Sequence, residues 1–130
     1  MHKLTLIGIT SLLAMLAVTA TTAFAASAKG GKGKIVRGKC SAASVWKLKA
    51  KADDGRLETE FEVDQNKIGR RWRVTISRNG ATVFRGTRTT VAPSGSFSVR
   101  RLLAAPASGR IVATAKALRG GETCRAVLSL

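Results

Sequence analysis

Histidine occurs once, at position 2, and tyrosine not at all. Histidine-led acid–base chemistry near neutral pH, and any histidine-dependent triad, is thereby excluded for the chain beyond that point. Cysteines number two, Cys40 and Cys124, so a zinc site of clustered Cys and His has no material to form from. Acids are scarce too: of seven, six lie between Asp53 and Asp64 and the last is Glu122. A carboxylate pair for glycoside hydrolysis would have to come from Glu58, Glu60 and Glu62, which stand about 7 Å apart along an extended strand. Each of them faces a lysine in the pairing derived below, which favours the ionised form and opposes a proton-donating role. Asp53 and Asp54 alone fall short of the roughly six to eight oxygens that Ca²⁺ takes. No G-x-S-x-G elbow and no phosphate-binding G-x-x-x-x-G-K-[ST] loop is present.

Long apolar runs are equally rare, and the one that exists is informative. His2 and Lys3 lead into an apolar stretch from Leu4 to Val18, followed by small residues that include Ala23-Phe24-Ala25 and Ala26-Ser27-Ala28. That order is the layout of a secretory signal peptide, helical and too short for a comfortable membrane span. Cleavage is expected after Ala25 or Ala28, so that residues 1–28 leave and a chain of 105 or 102 residues remains, with a formal charge of +15. Neither a lipobox cysteine nor a twin-arginine start accompanies the segment. The expected product is therefore soluble, secreted and without a membrane anchor. In an oxidising compartment Cys40 and Cys124 are expected to form a disulfide, the alternative being two buried thiols.

Residues 29–34, Lys-Gly-Gly-Lys-Gly-Lys, hold no apolar anchor and read as a flexible basic arm. From Ser44 onward the hydrophobic period is two, the period of a strand. Trp46, Leu48, Ala50 and Ala52 alternate with lysines, and Leu57, Thr59, Phe61 and Val63 alternate with glutamates, around Asp53-Asp54-Gly55-Arg56. Setting Ala52 opposite Leu57 places Lys51, Lys49 and Lys47 across from Glu58, Glu60 and Glu62, three opposite-charge rungs on one face. Trp46 and Leu48 then meet Val63 and Phe61 on the other, and both Trp46 and Trp72 are expected in the core.

Further along, Trp72, Val74 and Ile76 point inward before Asn79-Gly80, a strong two-residue hairpin signal. Its partner, Ala81 to Val91, has Val83 and Phe84 adjacent, which calls for a bulge or a solvent-facing residue. After Pro93-Ser94-Gly95, a strand with Phe97 and Val99 inward is expected to slip phase near Arg100-Arg101 and to end at Pro106–Gly109. A last hairpin about Gly120-Gly121 is expected to set Ile111, Ala113, Ala115 and Ala117 against Leu130, Leu128, Ala126 and Cys124. With Ile35 to Lys39 as a short first strand, the domain spans residues 35–130. The expectation is an all-β, antiparallel sandwich of seven or eight strands with immunoglobulin-like or fibronectin type III-like architecture. Antibody domains proper are not matched, because Cys40 and Trp46 are six residues apart and no tyrosine is available for a tyrosine corner.

Three stretches carry a resemblance: Cys-Ser-x-x-Ser-x-Trp-Lys-Leu-Lys-Ala-Lys at residues 40–51, Asp53-Asp54-Gly55-Arg56 with its acidic strand, and Val91-Ala92-Pro93-Ser94-Gly95-Ser96-Phe97. Together they resemble small secreted proteins of actinobacteria, over nearly all of residues 40–128. The resemblance implies export and a β-sandwich and brings no chemistry, cofactor or catalytic residue with it.

What remains is charge. Lys29, Lys32, Lys34, Arg37 and Lys39 lead in, Arg70, Arg71 and Arg73 cluster on one strand, and Arg78, Arg85, Arg88, Arg100, Arg101, Arg110, Arg119 and Arg125 are spread over the remainder. A field of this sign draws polyanions through salt-sensitive contacts, the extracellular candidates being anionic wall polymers, phospholipid head groups and released nucleic acid; the plainer reading is a solvated basic surface that aids solubility. The expectation is a non-enzymatic monomer that binds or lends structure at the cell envelope, with Arg71, Arg73, Arg85 and Arg88 as the anion contacts and anionic envelope polymers as partners. Neither metal nor cofactor is expected. The competing expectation is a small hydrolase, or a hydrolase inhibitor that presents residues 64–69 or 106–109 as its loop.

Overall fold

The lysine-bearing and glutamate-bearing segments pair as β2 (Val45–Asp53) and β3 (Arg56–Asp64) in the expected register, Ala52 opposite Leu57 and Leu48 opposite Phe61. The turn is tighter than the four residues anticipated: Asp53 pairs with Arg56, leaving Asp54 and Gly55, both at positive φ, as a two-residue connection. The computed structural model describes residues 33–130, so the expected signal peptide and residues 29–32 of the arm lie outside it. Lys34, counted with the arm, already belongs to β1 (Lys34–Lys39), which pairs with β2.

Five more strands follow: β4 (Arg71–Arg78), β5 (Ala81–Thr89), β6 (Ser96–Leu103), β7 (Arg110–Ala117) and β8 (Thr123–Ser129). They form two four-stranded antiparallel sheets, ordered β1-β2-β3-β6 and β5-β4-β7-β8. Chain alternation decides which side chains meet between them. Leu48, Leu57, Phe61, Val63, Phe97 and Val99 from the first sheet face Trp72, Val74, Ile76, Ile111, Ala113 and Leu128 from the second, all buried. Trp72 and Phe97 touch across the layers with ring centroids 6.2 Å apart, and the Trp72 indole donates to the Gln65 side chain at 3.0 Å. Trp46 is only partly buried. Its ring lies over Gly38 of β1, where a Cβ would collide with it.

Three local expectations change. Val83 is the bulged residue: Ile76 pairs with Phe84 but Ser77 with Thr82, so Val83 has no partner and Phe84 turns inward. β6 keeps its phase, with Phe97, Val99 and Leu103 buried and Arg101 on the same inward side. No slip is needed, because Arg101 lies at the open edge of the sandwich and sets its guanidinium 4.6 Å from the Phe84 ring centroid. In the last hairpin Ile111 faces Leu128 and Ala115 faces Cys124, two residues from the expected register. Gly120 and Gly121 occupy the second half of a four-residue loop, residues 118–121, closed by the Ala117 N–H to Glu122 carbonyl bond. A shift of two preserves parity, so Cys124, Ala126 and Leu128 still face the core, while Leu130, expected opposite Ile111, falls past the end of β8 and is exposed.

Each open side of the sandwich is closed differently. On the β1/β8 side Cys40 and Cys124 are joined by a disulfide, Ser41 and Thr123 exchange two hydrogen bonds, and Lys34 Nζ donates to the Ser129 carbonyl. The β5/β6 side is covered by Phe84 beneath the guanidinium groups of Arg88 and Arg101.

Candidate functional site

The two outer faces differ sharply in charge. On the first sheet, the glutamates of β3 stand between the lysines of β2 and Arg100 of β6. Lys47 approaches Glu62 at 3.8 Å and Lys51 approaches Glu58 at 3.9 Å. Glu60 lies opposite Lys49 as expected, and from its other side Arg100 holds it, Nη2 donating at 2.7 Å and Nε at 3.1 Å. That hydrogen bond keeps the Glu60 carboxyl below the ordinary glutamate range, against partial desolvation that pulls the other way. Glu58, Glu60 and Glu62 thus serve as a neutralising strand within a ladder of cations.

The outer face of the second sheet carries no acid at all. Its register builds two rows across four strands. In one, Arg85, Thr75, Thr114 and Arg125 lie side by side; in the next, Thr87, Arg73, Lys116 and Thr123. Arg71 opposite Thr89 begins a third. Strands about 4.8 Å apart make this a compact patch in which five cations share the face with threonine hydroxyls. Arg71, Arg73, Arg85, Lys116 and Arg125 are all exposed, and none forms an ion pair among the described residues. Arg73 and Lys116 are direct cross-strand partners, an arrangement that costs stability when no anion lies between them.

Of the four arginines expected to contact anions, then, three share this face and one does not. Arg88 sits on the opposite phase of β5, its guanidinium 4.9 Å from the Phe84 centroid and its Nη1 donating to the Thr87 carbonyl at 3.2 Å. Lys116 was missed by sequence reasoning. Its outward phase between Ala115 and Ala117 is the signal that marks it. Arg78, counted with the basic surface, instead ties down residues 104–108 by donating to the carbonyls of Ala104, Pro106 and Ser108.

At one end of the face Arg71 also borders a cleft of about 480 Å³, lined with Gln65, Lys67, Arg70, Leu118 and Arg119 among others. Of the two loops with inhibitor-like exposure, residues 64–69 form one wall of this cleft, while 106–109 are held by Arg78 at the far end.

Comparison with family models, with curated proteins and with solved structures finds no match to this chain. What the site can bind follows from its own charges and spacing. Guanidinium and ammonium groups interleaved with hydroxyls offer charge-assisted hydrogen bonds to phosphate, sulfate or carboxylate oxygens. The spread of cations over four strands suits an extended ligand that bears several anionic groups.

Proposed function

We propose that the protein is a secreted, non-enzymatic, immunoglobulin-like β-sandwich that binds anionic polymers of the cell envelope as a monomer, through the outer face of its second sheet. The carrying observation is the like-charged Arg73–Lys116 pair, set in a face without a carboxylate and flanked by Arg71, Arg85 and Arg125. The first sheet argues by contrast: its own like-charged pair, Arg37 opposite Lys47, lies beside an acidic strand whose Glu62 approaches Lys47 at 3.8 Å. A face left without a carboxylate beside one that carries an acidic strand is the feature a polyanion would complement.

Export is supported by the basic-apolar-small order of residues 2–28 and by the Cys40–Cys124 disulfide, a bond most at home in oxidising compartments. The immunoglobulin-like reading is supported by strand order. With β1 set aside as an added edge strand, β2-β3-β6 packs over β5-β4-β7-β8, the three-over-four arrangement of such sandwiches.

Retention on immobilised heparin and on anionic wall material, eluted with rising salt, tests the proposal. Arg71→Ala combined with Arg73→Ala should elute at clearly lower salt than the unaltered protein. An unchanged elution position would remove these residues from the account.

A further inference from the structure

Three loops meet at the end of the sandwich where β3 passes to β4, β5 to β6 and β7 to β8, and each exposes one large apolar side chain. Ile68 is 61% exposed, Val91 57% and Leu118 43%. Backbone hydrogen bonds set these loops next to one another and to β4: Gly69 N–H to the Thr90 carbonyl at 2.8 Å, and Leu118 N–H to the Arg71 carbonyl at 3.0 Å.

The exposure of Ile68 is enforced. Buried Thr90 accepts from the Arg70 N–H at 2.9 Å and donates its hydroxyl to the Lys67 carbonyl at 2.5 Å. Gly95, at φ +69° and buried, packs so closely on the Lys67 backbone that a Cβ there would collide with it. The 65–70 loop is thus pinned on both flanks and holds Ile68 out of the core.

Around these apolar tips stand the exposed cations Lys67, Arg70 and Arg119. The two carboxylates at this end are turned to other partners. Asp64 Oδ1 accepts the Asn66 N–H at 2.9 Å, and Glu122 accepts both the N–H and the hydroxyl of Ser44, at 2.8 and 2.9 Å.

We propose that this end of the sandwich docks on an anionic lipid bilayer, with Ile68, Val91 and Leu118 entering the boundary between headgroups and acyl chains while Lys67, Arg70 and Arg119 engage lipid phosphates. Any polyanion satisfies the cations. An anionic bilayer also removes three fixed apolar side chains from water while their basic neighbours stay at the surface. These residues are distinct from the Arg73–Lys116 patch, so the two proposals stand or fall separately.

Co-sedimentation of the processed protein with phosphatidylcholine vesicles, with and without about one-third phosphatidylglycerol, provides the test. The protein should sediment with the anionic vesicles. Replacing Ile68, Val91 and Leu118 together by serine should weaken that binding about tenfold or more at ~0.15 M salt, without moving heparin elution. Ile68→Leu alone, which keeps the apolar tip, should bind as the unaltered protein does. Lys67→Gln with Arg70→Gln and Arg119→Gln should abolish the preference for phosphatidylglycerol. Undiminished vesicle binding by the triple-serine variant would overturn the proposal, as would an unaltered protein that ignores vesicles yet elutes normally from heparin. Vesicle binding without heparin retention would instead sustain it and remove the polymer-binding proposal.

Discussion

Arg73 of β4 and Lys116 of β7 are cross-strand partners on a face that carries no carboxylate. Two like charges directly opposite one another lower stability unless a counter-anion joins them. On the proposed reading the pair links a small folding cost to a binding capacity, and one mutation should move both in opposite directions. Lys116→Thr, which extends the threonine pattern already present at Thr87 and Thr123, should raise stability by about 0.2–1 kcal/mol while lowering the salt at which the protein leaves heparin. A urea midpoint and an elution profile on the same variant check both halves.

Acid should weaken the fold through Glu60. Its carboxyl titrates below the ordinary glutamate value because Arg100 hydrogen-bonds it, so the unfolded chain binds its proton first as the pH falls. The resulting stability is fully present above the ordinary value of about 4.3 and is lost as the pH drops through the lower value of the folded state. Arg100→Gln should flatten that limb of a plot of stability against pH, as measured by urea unfolding between mildly and strongly acid buffers.

Cys40 and Cys124 close a loop of 84 residues in sequence separation and join the β1/β8 side of the two sheets. Replacing both by alanine should lower stability by about 4–5 kcal/mol on the chain-entropy estimate. The hydrogen bonds of Ser41 with Thr123 and of Ser44 with Glu122 should still dock the β1–β2 loop, so the variant is expected to fold with a reduced urea midpoint.

Gly38 is required by Trp46. A methyl group at position 38 would strike the indole, which lies flat over the edge strand. Gly38→Ala should therefore cost about 1–3 kcal/mol through overpacking. Its signature is a red shift in tryptophan fluorescence, arising from Trp46 because Trp72 is fully buried in the opposite sheet.

Much of the fold is legible in the sequence because strand parity is a local property. The β2–β3 register follows from the alternation of Lys47, Lys49 and Lys51 with apolar residues and of Glu58, Glu60 and Glu62 with theirs, and the structure reproduces every rung. Even the two-residue error at β7–β8 kept Cys124, Ala126 and Leu128 inward and lost only Leu130, since only an odd shift turns a strand over. The β6 phase was misread for a different reason. A charged residue on an inward position looks like a break in the pattern unless the strand is known to lie at a sheet edge, where Arg101 reaches the Phe84 ring.

The site is less legible, because a face is shared by strands distant in sequence. Arg71 and Arg73 are outward by their own alternation, but their companionship with Lys116 and Arg125 exists only because β7 crosses back to lie beside β4. Arg88, three residues from Arg85, went to the opposite face, since an odd separation along a strand reverses the side. The amino-acid order by itself determined which side chains face inward and where the hairpins turn, through period-two patterning and turn chemistry. Only the tertiary structure decided which cations stand together, left Arg73 and Lys116 without a carboxylate, and gathered Ile68, Val91 and Leu118 at one end, because these neighbours are brought together by crossovers between sheets that no local pattern encodes.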